Sequence, residues 1–343
     1  MAITIKDVAK EAEVSIATVS LVIHNHKRIS PETKLKVNRI IKELNYHPSR
    51  SARGLVFQKT GNIGFILTED HFLRSEPFYT RVFIGTEFQA RQYEYYILFT
   101  TISSTFQVGD KLPRFILERN VDGIIIAGKV PSAILDGLNK YNLPIAFADY
   151  YPPEGNYPVV MIDNISGGIL AVQHLIGLKH KKIAFIGGDI EHPSIWDRFQ
   201  GYKSGIEKSG IKFNPDYCIT DTDCPNRENG YSSAKKLLEK SPDITAIFAC
   251  NDAMAIGVMQ YLKEKECSIP EDISLIGFDD VEADLSLDPP LSTIGVPKAE
   301  LGIEAMRLMS DMLNNSITSP KKILVPVELV QRRSTGPANN DHL

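Results

Sequence analysis

Apolar residues recur at helical spacing through the first 45 positions, then in short runs that alternate with further helical stretches. Thr4, with Asp7 three residues on, makes a capping pair for a helix over roughly residues 5–12, whose Val8, Ala9 and Ala12 share one face. Glu13-Val14-Ser15 reads as a tight turn with Val14 inward. Ser15 then caps a second helix that keeps Val19, Val22 and Ile23 for packing. Ser30-Pro31-Glu32 starts a third: a capping Ser, Pro at the first helical position, and an acid favoured by the helix dipole. Its apolar stripe is Val37, Ile40, Ile41 and Leu44. Pro48 ends it, and Ser49 can cap a short segment holding Ser51, Ala52, Arg53 and Leu55, too short to be a stable helix alone.

From Gly61 onward the period changes. Strand candidates are Asn62–Leu67, Tyr95–Thr100, Gly123–Ala127, Ile145–Ala148, Val159–Ile162, Lys182–Gly187, Ala246–Ala249 and Ser274–Phe278, mostly separated by helical stretches of ten or more residues. Such alternation predicts parallel sheets covered on both faces. The strands are too many for one comfortable sheet, and a break near Asp163-Asn164 predicts two lobes. Ligands in such folds sit at the carboxyl ends of the strands.

Charge separates the same two regions. Residues 1–60 carry seven Lys and four Arg against five acids, a net of +6, whereas the remainder carries 27 basic and 37 acidic residues, a net of −10. A basic head on an acidic body points only the head at phosphate. In a helix-turn-helix the second helix enters the major groove. Its outward positions here are Ile16, Ala17, Ser20 and Leu21. Their largely apolar side chains can touch a thymine methyl but cannot make bidentate bonds to guanine or adenine. Ser15, Thr18 and Ser20 are assigned to phosphates. The segment after Pro48 reads either as a plain linker or as a helix that folds on DNA, with Arg50 and Arg53 near phosphates and Leu55 between base steps of the minor groove.

In the body, acids and amides end four strand regions: Asp149, Asp163, Asn251-Asp252 and Asp279-Asp280. Each could simply cap the next helix, but their agreement favours a cleft for a hydroxyl-rich or amine-bearing ligand. Arg198 adds a planar fork of donors. Cys218, Cys224, Cys250 and Cys267 have no metal-ligand or disulfide spacing, so no metal or other cofactor is expected and a reducing cytoplasm fits. The early sequence is too polar for a signal peptide, and no apolar run is long enough to span a membrane.

The head resembles the lactose-repressor (LacI/GalR) family of bacterial transcription regulators through Thr4–Ala9, Val14–Ser20, Ser30-Pro31-Glu32-Thr33 and Leu44–Ser49. Ala52-Arg53-Gly54-Leu55 is similar to that family's hinge helix, whose Leu is the minor-groove wedge. His24 stands where the family usually has Asn. In the body, Glu76–Tyr79, Val160–Asn164, Arg198–Tyr202, Asn251–Gly257 and Ile276–Asp280 look like family core motifs, and Pro289–Ile294 like its crossover back into the first lobe. Glu76 replaces a frequent Asn.

The resemblance implies an α/β protein: a helix-turn-helix headpiece (residues 1–47) and a hinge helix with linker (48–60), then a two-lobed, periplasmic-binding-protein-like core of two parallel-sheet Rossmann-like subdomains (61–343). The N-lobe is expected at about 61–162 and 293–321, the C-lobe at about 163–292 and 322–335. It further implies a ligand-responsive repressor that binds a near-palindromic double-stranded operator as a homodimer, in the cytoplasm and without membrane contact. DNA contacts are expected from Thr4, Ser15, Ile16, Ala17, Thr18, Ser20, Leu21, His24, Ser30, Thr33, Arg50, Ala52, Arg53 and Leu55. Effector contacts are expected from Phe78, Tyr79, Asp149, Ser194, Trp196, Arg198, Asn251 and Asp279. A sugar or sugar phosphate is the first expectation for the effector, and a nucleobase or nucleoside, or a protein co-regulator, the alternative. The chain lacks the family tetramers' C-terminal Leu heptads, so a dimer is expected.

Two other classes compete. An enzyme would need a motif such as G-x-G-x-x-G after a strand, a P-loop, H-E-x-x-H or G-x-S-x-G, and none occurs. A free-standing solute-binding protein would share the body but not the basic head.

Overall fold

The computed structural model describes residues 3–23, 26, 28–46, 59–72, 78–317 and 319–339. The chain divides into two compact units, Met1–Gly61 and Asn62–Leu343.

In the first unit, helices Ile5–Glu11, Ile16–Ile23 and Pro31–Glu43 enclose Val8, Ala9, Ala12, Val19, Val22, Val37, Ile40 and Tyr46. Asp7 accepts from both the N–H and the hydroxyl of Thr4, at 2.8 and 2.7 Å. These bonds to its charged form hold the Asp7 carboxyl below its usual range. The first turn closes with Glu13 in the left-handed region at φ 52°, while the N–H of Val14 returns to the carbonyl of Ala9. That geometry swings the second helix across the first.

The second unit contains two six-stranded sheets. The first runs β11 (Lys322–Val325), β5 (Val159–Ile162), β4 (Ile145–Ala148), β3 (Gly123–Ala127), β1 (Asn62–Thr68), β2 (Tyr96–Ile102), every pair parallel. The second runs β12 (Glu328–Val330), β10 (Ser292–Gly295), β9 (Ser274–Asp279), β8 (Ala246–Ala249), β6 (Ile183–Ile186), β7 (Cys218–Ile219), parallel except for β10 with β12. β3, β4, β5, β6 and β8 are buried along their whole length, as strands with both faces covered must be.

Strand pairing corrects two expected lobe boundaries. β10 stays in the second sheet, in register with β9, so the chain returns to the first lobe after residue 295, not at 293. β11 extends the first sheet beside β5, so the last crossing follows residue 325, not 321. Both strands are short, and β10 is built from Ser and Thr whose hydroxyls are bonded inside, which hid it from an apolar-run reading. β7 and β12 are likewise additional to the eight expected strands. Among the described residues no helix is long and apolar enough to cross a membrane.

Helices Asn164–Gly177 and Pro193–Lys208 cross at Gly168 and Gly201. A Cβ on Gly201 would fall 2.3 Å from the carbonyl oxygen of Ile165, and one on Gly168 2.5 Å from that of Arg198. Only glycine permits this approach, and it fixes the backbone at Arg198.

Candidate functional site: the cleft and the recognition helix

The second headpiece helix buries Val19 and Val22 and turns Ile16, Ala17 and Leu21 outward, with Ile16 45% and Leu21 36% exposed. Ala17 and Leu21 lie one turn apart, as do Ile16 and Ser20. Ser15 Oγ accepts the N–H of Thr18 at 3.0 Å and lies 2.9 Å from its hydroxyl. Ser30 and Thr33 repeat the arrangement on the third helix, at 3.2 and 2.9 Å. Two helix N-termini thus each carry a hydroxyl pair, a combination suited to a phosphate oxygen. The expected contacts His24, Arg50, Ala52, Arg53 and Leu55 lie outside the described residues.

The carboxyl ends of the strands in both lobes surround a cavity of 990 Å³. Thr68 ends β1, Lys129 follows β3, Asp149 follows β4, Asp189 follows β6, Cys250 follows β8 and Asp279 ends β9, and all six line it. Of the expected effector residues, Phe78, Tyr79, Asp149, Ser194, Arg198, Asn251 and Asp279 line the cavity. Trp196 does not. It stands 48% exposed with its ring 6.1 Å from that of Phe199, because two residues along a helix from Ser194 is the opposite face.

Arg198 is the fixed centre. Its Nε donates to Asn164 Oδ1 at 2.8 Å and its Nη1 to the Cys250 carbonyl at 2.7 Å. Nη2 faces Asp279 at 3.4 Å, and the guanidinium lies 3.7 Å from the centre of the Phe278 ring. A buried guanidinium with this many partners presents a preset edge to a ligand. Asp149 accepts from Tyr79 at 3.0 Å and from Ser194, across the cleft, at 3.1 Å. Burial pushes its carboxyl up to about 6, against the opposing pull of Arg198 and of the two hydroxyls. It therefore holds its proton to higher pH than an ordinary carboxyl.

Other strand-end groups serve the frame. Asp163 caps the 164–177 helix by accepting the Ser166 N–H, and Asn251 caps the helix Asp252–Glu264 while donating to the Pro225 carbonyl. Asp252 is buried, accepting from the Thr293 hydroxyl and the Val281 N–H. Burial beside Asp284 and Asp279 drives its carboxyl well above the ordinary range. Asp280 points away from the cavity to Arg332 at 2.5 Å.

Lys129 and Asp189 are cavity residues that strand-end reading missed. Lys129 belongs to the first lobe and Asp189 to the second, and they meet at 2.8 Å. Partial burial opposes both charges, but the contact outweighs it, raising the Lys129 ammonium and lowering the Asp189 carboxyl. Each stands two or three residues past its strand, behind glycine, so neither occupies an immediate strand end.

A helix-turn-helix head and a two-lobed polar cleft in one chain define a ligand-controlled DNA-binding regulator. Residues 4–49 match the model of bacterial regulatory proteins of the lacI family, and residues 172–335 that of the periplasmic binding protein-like domain. The chain is 32% identical over 333 residues to the HTH-type transcriptional repressor PurR of Pasteurella multocida, covering 96% of this chain and 98% of that one. It is 32% identical over 331 residues to the ribose operon repressor of Haemophilus influenzae, again covering 96% and 98%. Among solved structures it is similar to a transcriptional regulator CelR–cellobiose complex, with TM-score 0.73 and 27% identity, covering 97% of this chain and 99% of that one. The protein belongs to the lacI family of bacterial regulatory proteins and is a ligand-responsive transcriptional repressor.

Proposed function

We propose that the protein binds a near-palindromic operator as a homodimer, without catalytic turnover, and that an uncharged polyhydroxyl compound in the interlobe cleft controls that binding. The second headpiece helix reads the major groove through Ile16, Ala17 and Leu21, with preference for thymine methyls. The hinge segment around Leu55 supplies a minor-groove wedge.

The observation that carries the effector reading is the charge balance of the cleft. Among the described residues its lining has six acids (Asp70, Asp149, Asp189, Asp223, Glu228 and Asp279) against Lys129, Arg198 and Arg227. Unit charges 4 Å apart interact by about 4 kcal/mol at the effective dielectric of a protein surface. An unpaired phosphate therefore starts at a disadvantage here, whereas hydroxyls find acceptors at Asp149 and Asp279 and donors at Arg198. The aromatic face of Phe78 offers a stacking surface at the same cavity. The CelR relative is a cellobiose complex, and another takes its name from the ribose operon.

A thermal-shift screen of neutral sugars, sugar phosphates, nucleobases and nucleosides tests this, followed by operator anisotropy with each hit. Ligand at 100 times its Kd adds about 2.7 kcal/mol of stability. A stereoselective neutral saccharide that changes operator affinity is the expected result. Stabilisation by a nucleobase alone would overturn the polyhydroxyl reading and keep the regulator.

A further inference from the structure

We infer that Asp189 is a specificity-determining residue: by holding the Lys129 ammonium across the cleft mouth, it denies that cation to anionic ligands. The inference rests on the reading of the cleft as the effector site and adds the residue that sets its charge selectivity.

Three observations carry it. Both side chains line the cavity and come from different lobes, so the contact closes one side of the mouth. Lys129 is 44% exposed at its side chain, within reach of an incoming anion, whereas Asp189 is 25% exposed. Asp189 is also fixed by its own loop, where its other oxygen accepts the Glu191 N–H at 3.0 Å. A flexible ammonium is therefore tethered by a carboxylate held in place, and displacing that carboxylate would also break its loop bond.

Another cleft cation, Arg198, is committed as well. Arg198 spends Nε, Nη1 and Nη2 on Asn164, Cys250 and Asp279. Lys129, at the mouth and on one long stem, is the easier cation to release. Selectivity arises when a site is built to repel the wrong ligand as well as to hold the right one. An ammonium freed from Asp189 is a point charge of the kind that binds phosphate.

The test uses the purified full-length protein and inorganic phosphate as probe, with D-glucose 6-phosphate as a second, titrated calorimetrically at constant ionic strength. Asp189→Asn should bind phosphate about tenfold tighter than wild type, the worth of one charge-assisted contact. Adding Lys129→Gln to that variant should return affinity to the wild-type level. Asp189→Ser repeats the measurement, and melting curves establish that each variant is folded. Unchanged phosphate affinity in folded Asp189→Asn and Asp189→Ser overturns the inference. So does a gain that survives loss of Lys129, which would place the new anion contact on another group. If Asp189→Asn gains phosphate but no screened ligand alters operator binding, the effector reading fails and the role of Asp189 stands. If a neutral saccharide controls the operator while both variants gain nothing, only the role of Asp189 fails.

Discussion

Replacing Arg198 by Ala removes the group on which the cleft is built, and its cost can be worked from the contacts. The guanidinium is buried and satisfies Asn164, the Cys250 carbonyl and Asp279, while lying 3.7 Å from the Phe278 ring centre. Truncation leaves a carboxylate and two amide oxygens with lost partners, and breaking a buried pair from one side costs about 3–5 kcal/mol. For a unit of this size each kcal/mol lowers the melting temperature by about 2–4 °C, so the variant should melt some 6–20 °C lower. Arg198→Lys restores charge but not the planar fork, and should recover stability only in part. The assay is thermal denaturation of the unliganded full-length protein, paired with operator anisotropy below the new melting temperature, with and without a hit from the screen. Operator binding should persist and its response to ligand should vanish. A variant that melts with wild type, or responds normally to ligand, would refute the placement of Arg198 at the centre of the site.

Four further outcomes are expected. Leu55→Ala should weaken operator binding with effector affinity retained, measured by anisotropy and calorimetry; equal operator affinity would remove Leu55 from the reading. The folded value for Asp149, about 6, lies above its ordinary 3.8, so the stability it contributes is fully present below the lower value and lost as pH rises through the higher one. Asp149→Asn should therefore flatten the dependence of melting temperature on pH in that window, and parallel profiles would contradict it. Gly201→Ala, whose new Cβ meets the Ile165 carbonyl at 2.3 Å, should cost about 3 kcal/mol, at the upper end for overpacking. Gly177→Ala, facing open space, should be close to neutral in the same denaturant titration.

Much of the fold was readable because burial on both faces leaves an unbroken apolar run. Gly123–Ala127, Ile145–Ala148, Val159–Ile162 and Ala246–Ala249 stand where such runs placed them. β10 was not readable, since Ser292 and Thr293 look like loop residues until Thr335 and Asp252 arrive to bond them. At the site, strand-end acids were readable and their division of labour was not. Asp149 and Asp279 line the cavity, whereas Asp163 caps a helix and Asp252 is buried in the frame. Lys129 and Asp189 escaped because no local pattern marks two residues that acquire meaning only when separate lobes meet.

The same division of labour shows how a ligand can act beyond the residues it touches. Asp279 faces the cavity with its side chain, while its backbone carbonyl accepts from Lys298 at the start of the helix Lys298–Leu313. That helix belongs to the first lobe, where Gly302 and Gly85 bring it against the helix Phe78–Gln92, and Phe78 and Tyr79 begin the latter. One strand end is thus shared between the ligand cavity and a first-lobe helix, and the partner helix supplies two cavity residues. The Asp280–Arg332 pair anchors the next residue to the segment that follows β12. A ligand that bound two arrangements of the lobes unequally would shift their populations by its differential affinity alone. Asp279 touches Arg198 with its side chain and Lys298 with its carbonyl, so a ligand that displaced this strand end would load a first-lobe helix one hydrogen bond away.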